Sequence, residues 1–414
     1  MIMKAKICLV LLLLGFTTVL SAQEEDDKLK ALELYGFVMT DMGYNFNQIN
    51  PDWYDVVRPT KLPKFKNEFG TDGNVYFSVR QTRLGVKGYT PTPLGELKTI
   101  FEFELFGTGV DAGQTTFRLR HAYGEIGKIG VGQYWSPFMD IDVFPNTVEY
   151  WGPTGMVFFR NIQIRYMPIQ GETRLTFALE RPGASADQGI YADRIELQNV
   201  RGRFNLPDLS AEFRYGKQWG YVEIAGILRK IQWVDEGLNP NPQIDLSDEV
   251  MGWGINLSTN LKLGKSSTFR GQFVYGEGIE NYMNDATTDI GIKANPGNPT
   301  QPVQGVALPV TGIVAFIDHN WNDKFSTSVG YSSIDIDNAD GASPVHLPLV
   351  NTVSLTCCGH HSRILCVVLN YNMVAGRILP TDLILIYSKP SFHSNTVSAI
   401  HFLPTKNSHF FWVR

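Results

Sequence analysis

Long runs in which apolar and polar residues alternate place the strongest limit on the fold of this chain. In residues 251–263 an apolar residue occupies nearly every second position, and the positions between hold mostly Gly, Asn, Ser and Lys. Successive side chains of a β-strand point to opposite faces of the sheet, so such a run has one apolar and one polar face. Similar alternation recurs at residues 117–124, 161–166 and 174–180. The chain is therefore expected to be all-β.

Segment length distinguishes a membrane-spanning barrel from a soluble β-sandwich, because both alternate. A sandwich turns its apolar face inward, and strands of globular proteins usually have about five or six residues. From Leu32 onward this chain divides into segments of about 10 to 15 residues, separated alternately by very short turns and by long polar loops. Such lengths suit a tilted membrane crossing, and outer-membrane barrels have short turns on one side and long loops on the other. The sequence thus predicts a transmembrane antiparallel β-barrel.

Composition agrees with a barrel and argues against several other classes of protein. The chain has 25 Phe, 17 Tyr, 8 Trp and 39 Gly, which suit aromatic girdles and close turns. Beyond the N terminus no stretch offers 18 continuous apolar residues, so no transmembrane helix is expected. Cysteine is absent between Cys8 and Cys357, which excludes a disulfide or a thiolate metal site in the main body. A net charge of −5 provides no broad basic face for nucleic acid.

The N terminus has the layout of a secretory signal peptide. Two lysines precede an apolar run from Ile7 to Leu14, and small residues lead up to Ala22. A membrane anchor is the alternative, but the run is shorter than the roughly 20 residues of a spanning helix. We therefore expect residues 1–22 to be cleaved and residues 23–31 to form a short polar segment before the barrel. The mature protein is expected to leave the cytoplasm for the outer membrane.

The C-terminal region differs from the rest of the chain. About thirteen strands are recognisable up to residue 337, whereas single-chain bacterial barrels have an even number. From residue 343 only six of 72 residues are charged, and six of the eight His and three of the four Cys lie there. We interpret residues 32–342 as the outer-membrane barrel and residues 343–414 as a tail translated out of frame. The tail is expected to replace the last strands without forming three regular ones.

One motif of this tail contains residue types that can bind zinc. It reads Cys357-Cys358-Gly359-His360-His361, and Cys366 follows. Structural zinc sites space their ligands by two to four residues, which adjacent Cys and His pairs do not match. We expect neither a metal nor another cofactor.

A long loop after Gly132 is the best candidate for a constriction of the lumen. It is stiffened by aromatic residues and carries three acids, and its candidate residues are Trp135, Phe138, Asp140, Asp142 and Glu149. Cations on the polar face of the strands are expected to line the pore opposite this loop, namely Arg83, Lys87, Arg118, Arg120, Arg165 and Arg174. A basic wall facing an acidic loop would produce a transverse field that guides anions. Alternatively, these cations only solvate the lumen and pair with Glu102, Glu104 and Glu180.

Two residues are left out of this candidate site because alternation places them on the apolar side. Arg80 shares a face with Leu84 and Val86, so a bulge or a position near the lipid headgroups is needed there. His121 is expected at an interface with lipid or with another subunit. No Ser-His-Asp order with supporting turn chemistry appears, so catalysis is not expected.

Several stretches, taken in order, resemble the DcaP-like trimeric porins, a family of outer-membrane barrels. The resemblance covers about residues 32–340, and its matching pieces are 80–88, 117–125, 132–140 and 207–215. It implies a sixteen-stranded barrel, a homotrimer in outer-membrane lipid, and passive diffusion of small anionic solutes such as dicarboxylates. An outer-membrane barrel enzyme of the phospholipase type and a secreted β-rich binding protein stay open as alternatives. A lipid-hydrolysis assay and cell fractionation, respectively, separate these alternatives from a porin.

Overall fold

A computed structural model describes most of the chain. Side chains are described for residues 31–339 except 64, 148, 188–196, 198, 238–240, 287 and 324 (and, within this span, Ala31 and Pro59 only by their backbone), and the backbone alone for 349–359, 365–374, 377–386 and 391–394. The predicted signal peptide and the side chains of the Cys-rich motif lie outside the described residues. Within the described part of the chain, no helix is long and apolar enough to cross a membrane.

The described residues form mainly β-strands, with single 3-10 turns in the loops. In chain order the strands are β1 (Ala31–Phe37), β2 (Asp41–Asn45), β3 (Asn74–Ser78), β4 (Arg83–Thr92), β5 (Gly95–Phe106), β6 (Thr115–Ile126), β7 (Ile129–Trp135), β8 (Arg160–Ile169), β9 (Arg174–Glu180), β10 (Ala186–Asp187), β11 (Val200–Gly202), β12 (Asp208–Lys217), β13 (Gly220–Asp235), β14 (Asp248–Leu263), β15 (Ser267–Glu277), β16 (Ile290–Ala294), β17 (Val303–Ala307), β18 (Pro309–Asn320), β19 (Phe325–Ile336), β20 (Leu349–Gly359), β21 (Leu365–Val374), β22 (Arg377–Ile386) and β23 (Ser391–Ser394). The 3-10 turns span Pro51–Trp53, Pro59–Lys61, Gly109–Asp111, Ile141–Val143 and Glu280–Tyr282.

The main sheet closes on itself as an antiparallel barrel. Neighbouring strands pair in chain order from β4 onward, and the ring closes where β1 pairs with β4 on one side and with β23 on the other. If β11 and β12 are counted as one barrel strand, and β22 and β23 as another, the eighteen strands of this sheet form a sixteen-stranded barrel. Among the described strands, closure leaves the main sheet without a free edge, which is the condition for a β-structure to span a bilayer. The predicted all-β transmembrane barrel is confirmed.

The backbone of the C-terminal region differs from the expectation of a tail without regular strands. Strands β20, β21 and β22 pair in continuous antiparallel register, and Phe37 of β1 lies opposite Ser391 of β23. Ladder hydrogen bonds join backbone groups and require no particular side chain, so an atypical composition does not prevent strand pairing. The barrel therefore extends beyond residue 342, and the out-of-frame origin of this segment stays a prediction.

The two ends of the barrel differ in the length of their connections. Turns of two to five residues join the strands at one end, as at 127–128 and 218–219. Most connections at the other end are longer loops, and we name four of these by their order: L1 (46–73), L3 (136–159), L4 (181–207) and L6 (278–308). In outer-membrane barrels the short turns are periplasmic and the long loops are extracellular. Strands β10, β16 and β17 form a small separate sheet within L4 and L6.

The outer surface follows the alternation seen in the sequence. On β14 the outward side chains of Ile255 and Leu257 are 45% and 46% exposed, while Asn256 and Ser258, which alternate with them, are buried. Large aromatic residues lie at the short turns, where Trp219 and Trp321 are both exposed. An apolar belt with aromatic ends is what a bilayer requires of the outer face of a barrel.

Two interruptions of the strands place residues differently from strict alternation. In β6 the register shifts so that His121 lies opposite Glu102 and Leu119 opposite Phe103, which leaves Arg120 as an extra residue in a β-bulge. Arg120 and His121 are therefore both buried on the inside, and the interfacial position expected for His121 is wrong. Arg80 lies between β3 and β4, is fully buried and pairs with Asp55 at 2.8 Å. It too lies away from lipid.

An apolar core fills one side of the barrel interior. This differs from most porins, in which the inner face of the barrel is polar. Inward residues of β13, β15, β18 and β19 pack against Phe138 and Val157 of L3 and against Ile279, Tyr282 and Met283 of L6. The inward members of this core on the strands are Ala225, Ile227, Val274, Val310, Ile334 and Ile336. Burial of apolar surface from water holds the two loops against this half of the wall. The two loops therefore occupy the part of the interior next to these strands.

Candidate functional site: a lumen lined by arginines

The first half of L3 is fastened to the wall made by β12, β13 and β14. Arg214 of β12 binds the Asp140 and Asp142 carboxylates at 2.6 and 2.5 Å. Tyr221 and Ser258 donate hydrogen bonds to the second oxygen of Asp140 at 2.7 and 2.6 Å. The two loop acids that were expected to face a basic wall across the lumen are therefore held at the wall itself, paired with an arginine that the sequence analysis did not select.

The second half of L3 crosses the inside of the barrel. The backbone N–H of Asn146 donates to Asp318 of β18, and that of Gly155 donates to the Ser332 hydroxyl of β19 at 2.9 Å. A Cβ at Gly155 would lie 2.0 Å from the carbonyl oxygen of Ser333, so only glycine permits this close approach. Between these contacts the Tyr150 hydroxyl donates to Glu104 on the opposite wall at 2.7 Å. L3 thus narrows the lumen from both sides.

Four arginines converge on two glutamates of β5, and we call this group the basic cluster. Arg120 binds Glu102 and Glu104 at 2.6 and 2.7 Å. Arg83 also pairs with both carboxylates, and the other oxygen of Glu104 lies 3.2 Å from Arg118 and 3.8 Å from Arg160. With four guanidinium groups and two carboxylates, the basic cluster has a formal charge of +2 within the described residues. The pairing with Glu102 and Glu104, weighed as the alternative to a free basic wall, is present, but it leaves an excess of positive charge.

Trp135 at the end of β7 positions several of these cations. The guanidinium carbons of Arg120 and Arg160 lie 5.5 and 5.3 Å from its ring centre. Arg165 binds its carbonyl oxygen, and the His121 ring packs edge-on at 4.8 Å. An arginine over an aromatic face gains a cation–π attraction that fixes its orientation. Trp135, predicted as a constriction residue, therefore lies within the basic wall.

The other predicted cations lie at different places along the lumen. Lys87 pairs with Glu33 at 3.2 Å, whereas Arg165 has no carboxylate partner among the described residues and lies 5.0 Å from the Tyr134 ring centre. Arg174 pairs with Glu212 and Glu223 at 3.2 and 3.0 Å.

Arg174 and Arg214 belong to a second group that we call the acidic cluster, formed by these two arginines with Glu212, Glu223, Asp140 and Asp142. Its formal charge is −2. The lumen therefore has a basic and an acidic side, although loop acids and strand acids together, rather than the loop alone, form the acidic one.

Of the predicted constriction residues, Phe138 and Glu149 do not face the open lumen. Phe138 is fully buried in the core between L3 and L6, and Glu149 is buried with one oxygen accepting from the Trp151 backbone at 3.0 Å. Arg214 could have been selected, since it alternates with Phe213 and Tyr215 on the polar face of β12. Arg160 could not have been selected, because alternation places it on the same outward face as Ile162. Only its position at the start of β8 lets its side chain turn inward.

Glu280 of L6 is a buried acid inside the apolar half of the barrel. It is 2% exposed, and neither carboxylate oxygen has a hydrogen-bond partner among the described residues. Burial, followed by the neighbouring Asp289 carboxylate, raises the pKa of Glu280 well above its ordinary value of 4.5, although nearby backbone N–H groups and Arg229 oppose this shift. L6 therefore docks with Glu280 in its neutral form over a wider pH range than an exposed glutamate would allow.

Docking of L6 is expected to weaken as the pH rises. The undocked loop releases the Glu280 proton near the ordinary value of 4.5, whereas the docked loop keeps it to higher pH. Docking is thus most favourable below that ordinary value and loses free energy as the pH climbs towards the raised pKa. The melting temperature of wild-type barrels should fall between about pH 5 and 8 more than that of Glu280→Gln. Glu249→Gln, at an exposed carboxylate, is the control, and identical pH profiles for all three proteins would contradict this prediction.

The fold and the inserted loop together define an outer-membrane channel. A closed antiparallel barrel with an apolar outer belt encloses a polar lumen, and a loop crossing that lumen is the arrangement of a porin. A family model described as DcaP outer membrane protein matches residues 20–289 of the chain. This chain belongs to the DcaP outer membrane protein family, which confirms the resemblance seen in the sequence.

Solved structures show the same fold. The outer membrane channel DcaP of Acinetobacter baumannii has a TM-score of 0.69 at 17% identity, with 89% of this chain and 99% of that chain covered. An anion-selective porin from Comamonas acidovorans has a TM-score of 0.50 at 12% identity, covering 84% and 90%. OmpF of Salmonella typhi has the same TM-score and identity, covering 87% and 97%. No curated protein matches the chain. The family and these structures are channels of the outer membrane, not enzymes.

Proposed function

We propose that the chain passes small anionic solutes by passive diffusion through the barrel lumen, past the basic cluster. The observation that supports this most is the formal +2 charge of the basic cluster. Arg83 and Arg118 each keep 23% of their side chain exposed, so water and solute can reach them. Anions would be drawn towards these guanidinium groups.

The acidic cluster strengthens this effect by lying on the neighbouring part of the wall. Opposite charges on two sides of a narrow, low-dielectric passage produce a field across it and raise the local concentration of counter-ions. Arg165, which has no carboxylate partner among the described residues, extends the positive side towards the periplasmic end. Guanidinium groups suit carboxylate solutes because they stay charged and donate paired hydrogen bonds.

Reversal potential in a salt gradient tests the proposed selectivity. Purified channels in planar bilayers with a tenfold KCl gradient should show a reversal potential on the chloride side of zero, and Arg118→Gln should move it towards zero. Arg203→Gln is the matched control, since Arg203 is an exposed arginine of L4 that lies outside the basic cluster. Cation selectivity of the wild-type channel would overturn the proposal.

Other properties implied by the family resemblance are part of the same proposal. We expect a homotrimer surrounded by outer-membrane lipid, dicarboxylates among the solutes, and removal of residues 1–22 before insertion. Chemical cross-linking in intact outer membranes tests the trimer, and mass measurement of the purified protein tests the cleavage. These properties are independent of the selectivity that the basic cluster supports.

A further inference from the structure

Glu104 receives more donors than a single carboxylate usually has. One of its oxygens is 3.2 Å from Arg118 and 3.8 Å from Arg160, and the other accepts from Arg120 at 2.7 Å and lies 3.4 Å from Arg83. The Tyr150 hydroxyl of L3 adds a bond of 2.7 Å to the second oxygen. Glu104 itself is fully buried beneath these groups. Five donor groups are thus arranged around one carboxylate-shaped position.

We propose that Glu104 is a tethered occupant of an anion-binding site, and that a solute carboxylate binds by displacing it from Arg118 and Arg160. This inference rests on the proposed anion channel and adds the group that sets the affinity of its site. The ligand class follows from the occupant, because the four arginines and Tyr150 already surround a planar carboxylate: one oxygen accepts hydrogen bonds from Arg120 and Tyr150, and the other lies in ion-pair contact with Arg118. A solute carboxylate offers the same two oxygens.

Three observations make displacement physically reasonable. Arg118 and Arg160 approach the Glu104 oxygen that accepts no hydrogen bond among the described residues, so their contacts are the first that a solute can replace. One terminal nitrogen of Arg160 is buried without a hydrogen-bond partner among the described residues, and its side chain is only 9% exposed. Arg118 is 23% exposed and opens the cluster to the lumen. A buried donor left unpaired favours a ligand that can accept from it.

Competition by the tethered carboxylate predicts that the site binds solutes weakly and releases them readily. Conduction requires binding that is strong enough for entry and weak enough for exit. A fixed carboxylate that returns to the arginines when the solute leaves provides this balance. Glu104 would then set the affinity of the arginine site for a solute, and thereby the specificity of the channel, without itself contacting the solute.

Acetate affinity measured in bilayers tests the proposal. The apparent Kd of acetate is taken from the fall in chloride current as acetate is added to channels of the full-length protein. Glu104→Gln should lower this Kd by about tenfold, because acetate would no longer compete with the Glu104 carboxylate for one charge-assisted hydrogen bond. Glu104→Asp keeps the charge, which favours folding, but withdraws the carboxylate by one methylene, and it should lower the Kd by a smaller factor.

Glu212→Gln is the matched control, because it removes one buried lumen carboxylate that pairs with Arg174 in the acidic cluster. Its acetate Kd should stay at the wild-type value. An equal shift in Glu212→Gln and Glu104→Gln would show that only total charge matters and would overturn the tethered-occupant proposal. An unchanged or higher Kd in both Glu104 variants would overturn it as well. Either result leaves the anion selectivity of the wild-type channel standing, since that is read from the reversal potential.

Discussion

Replacing Arg214 by Met is expected to release L3 from the wall and to cost the docked loop about 3–5 kcal/mol. Arg214 is the cation that touches Asp140, Asp142 and Glu223, and its own side chain is only 7% exposed. Without it, the fully buried Asp140 would lose the cation that it binds, and the buried Glu223 would keep only Arg174. Removal of one partner from a buried ion pair is costly because the remaining charge stays desolvated.

Conductance and proteolysis measure this release. Channels of Arg214→Met should show a larger and noisier single-channel conductance. Protease should cut the variant within L3 under conditions that leave the wild-type protein intact. Arg174→Met is the control: it removes an arginine of the same cluster whose ion pairs reach strands rather than L3. If both variants give the same conductance and the same cleavage pattern, Arg214 does not hold the loop.

Truncation of Phe138 is the second large change, and Phe138→Ala is expected to destabilise the barrel with its docked loops by about 3–5 kcal/mol. The ring is fully buried and packs edge-on to Tyr282 of L6, with 6.0 Å between the ring centres. It fills the space in which a side chain at Gly254 of β14 would lie. L3, L6 and the wall all meet at this ring. A cavity here cannot close without moving two loops and a strand.

Unfolding measured by heat-dependent gel mobility tests this cost. Phe273→Ala is the matched control, since that ring projects outward from β15 with 44% exposure and its loss leaves no internal cavity. The midpoint of Phe138→Ala should fall well below that of Phe273→Ala. Equal midpoints would mean that the L3–L6 core adds little to the stability of the barrel.

The outer surface and the strand ladder could be predicted from the sequence because lipid imposes a strict period of two. On β14 every outward apolar residue, such as Leu257, fits that period, and short turns separate strands of regular length. The inner face obeys no comparable rule. Ile227 and Val274 point inward yet are apolar, because they face L3 and L6 rather than water. Contacts between residues so distant in sequence leave no local pattern.

The candidate site was predictable in kind but not in its partners. Arg83, Arg118 and Arg120 do come together, since they lie on neighbouring strands at one level. The bulge at Arg120 and the inward turn of Arg160 depend on tertiary packing and could not be read from alternation. Similarly, Asp140 was recognised as a loop acid, but its partner Arg214 lies 74 residues away, so nothing local joins them.

The apolar half of the interior has a consequence for how the chain reaches its membrane. Strand β13 is apolar on both faces in places, with Ile224 directed outward and Ile227 directed inward beneath L6. Before insertion, such a strand exposes two apolar faces to the aqueous periplasm instead of one, and transiently exposed apolar surface promotes aggregation. Bilayer contact alone covers only one of them. The other is buried only when L3 and L6 dock inside the barrel, so docking of the loops completes the burial of β13.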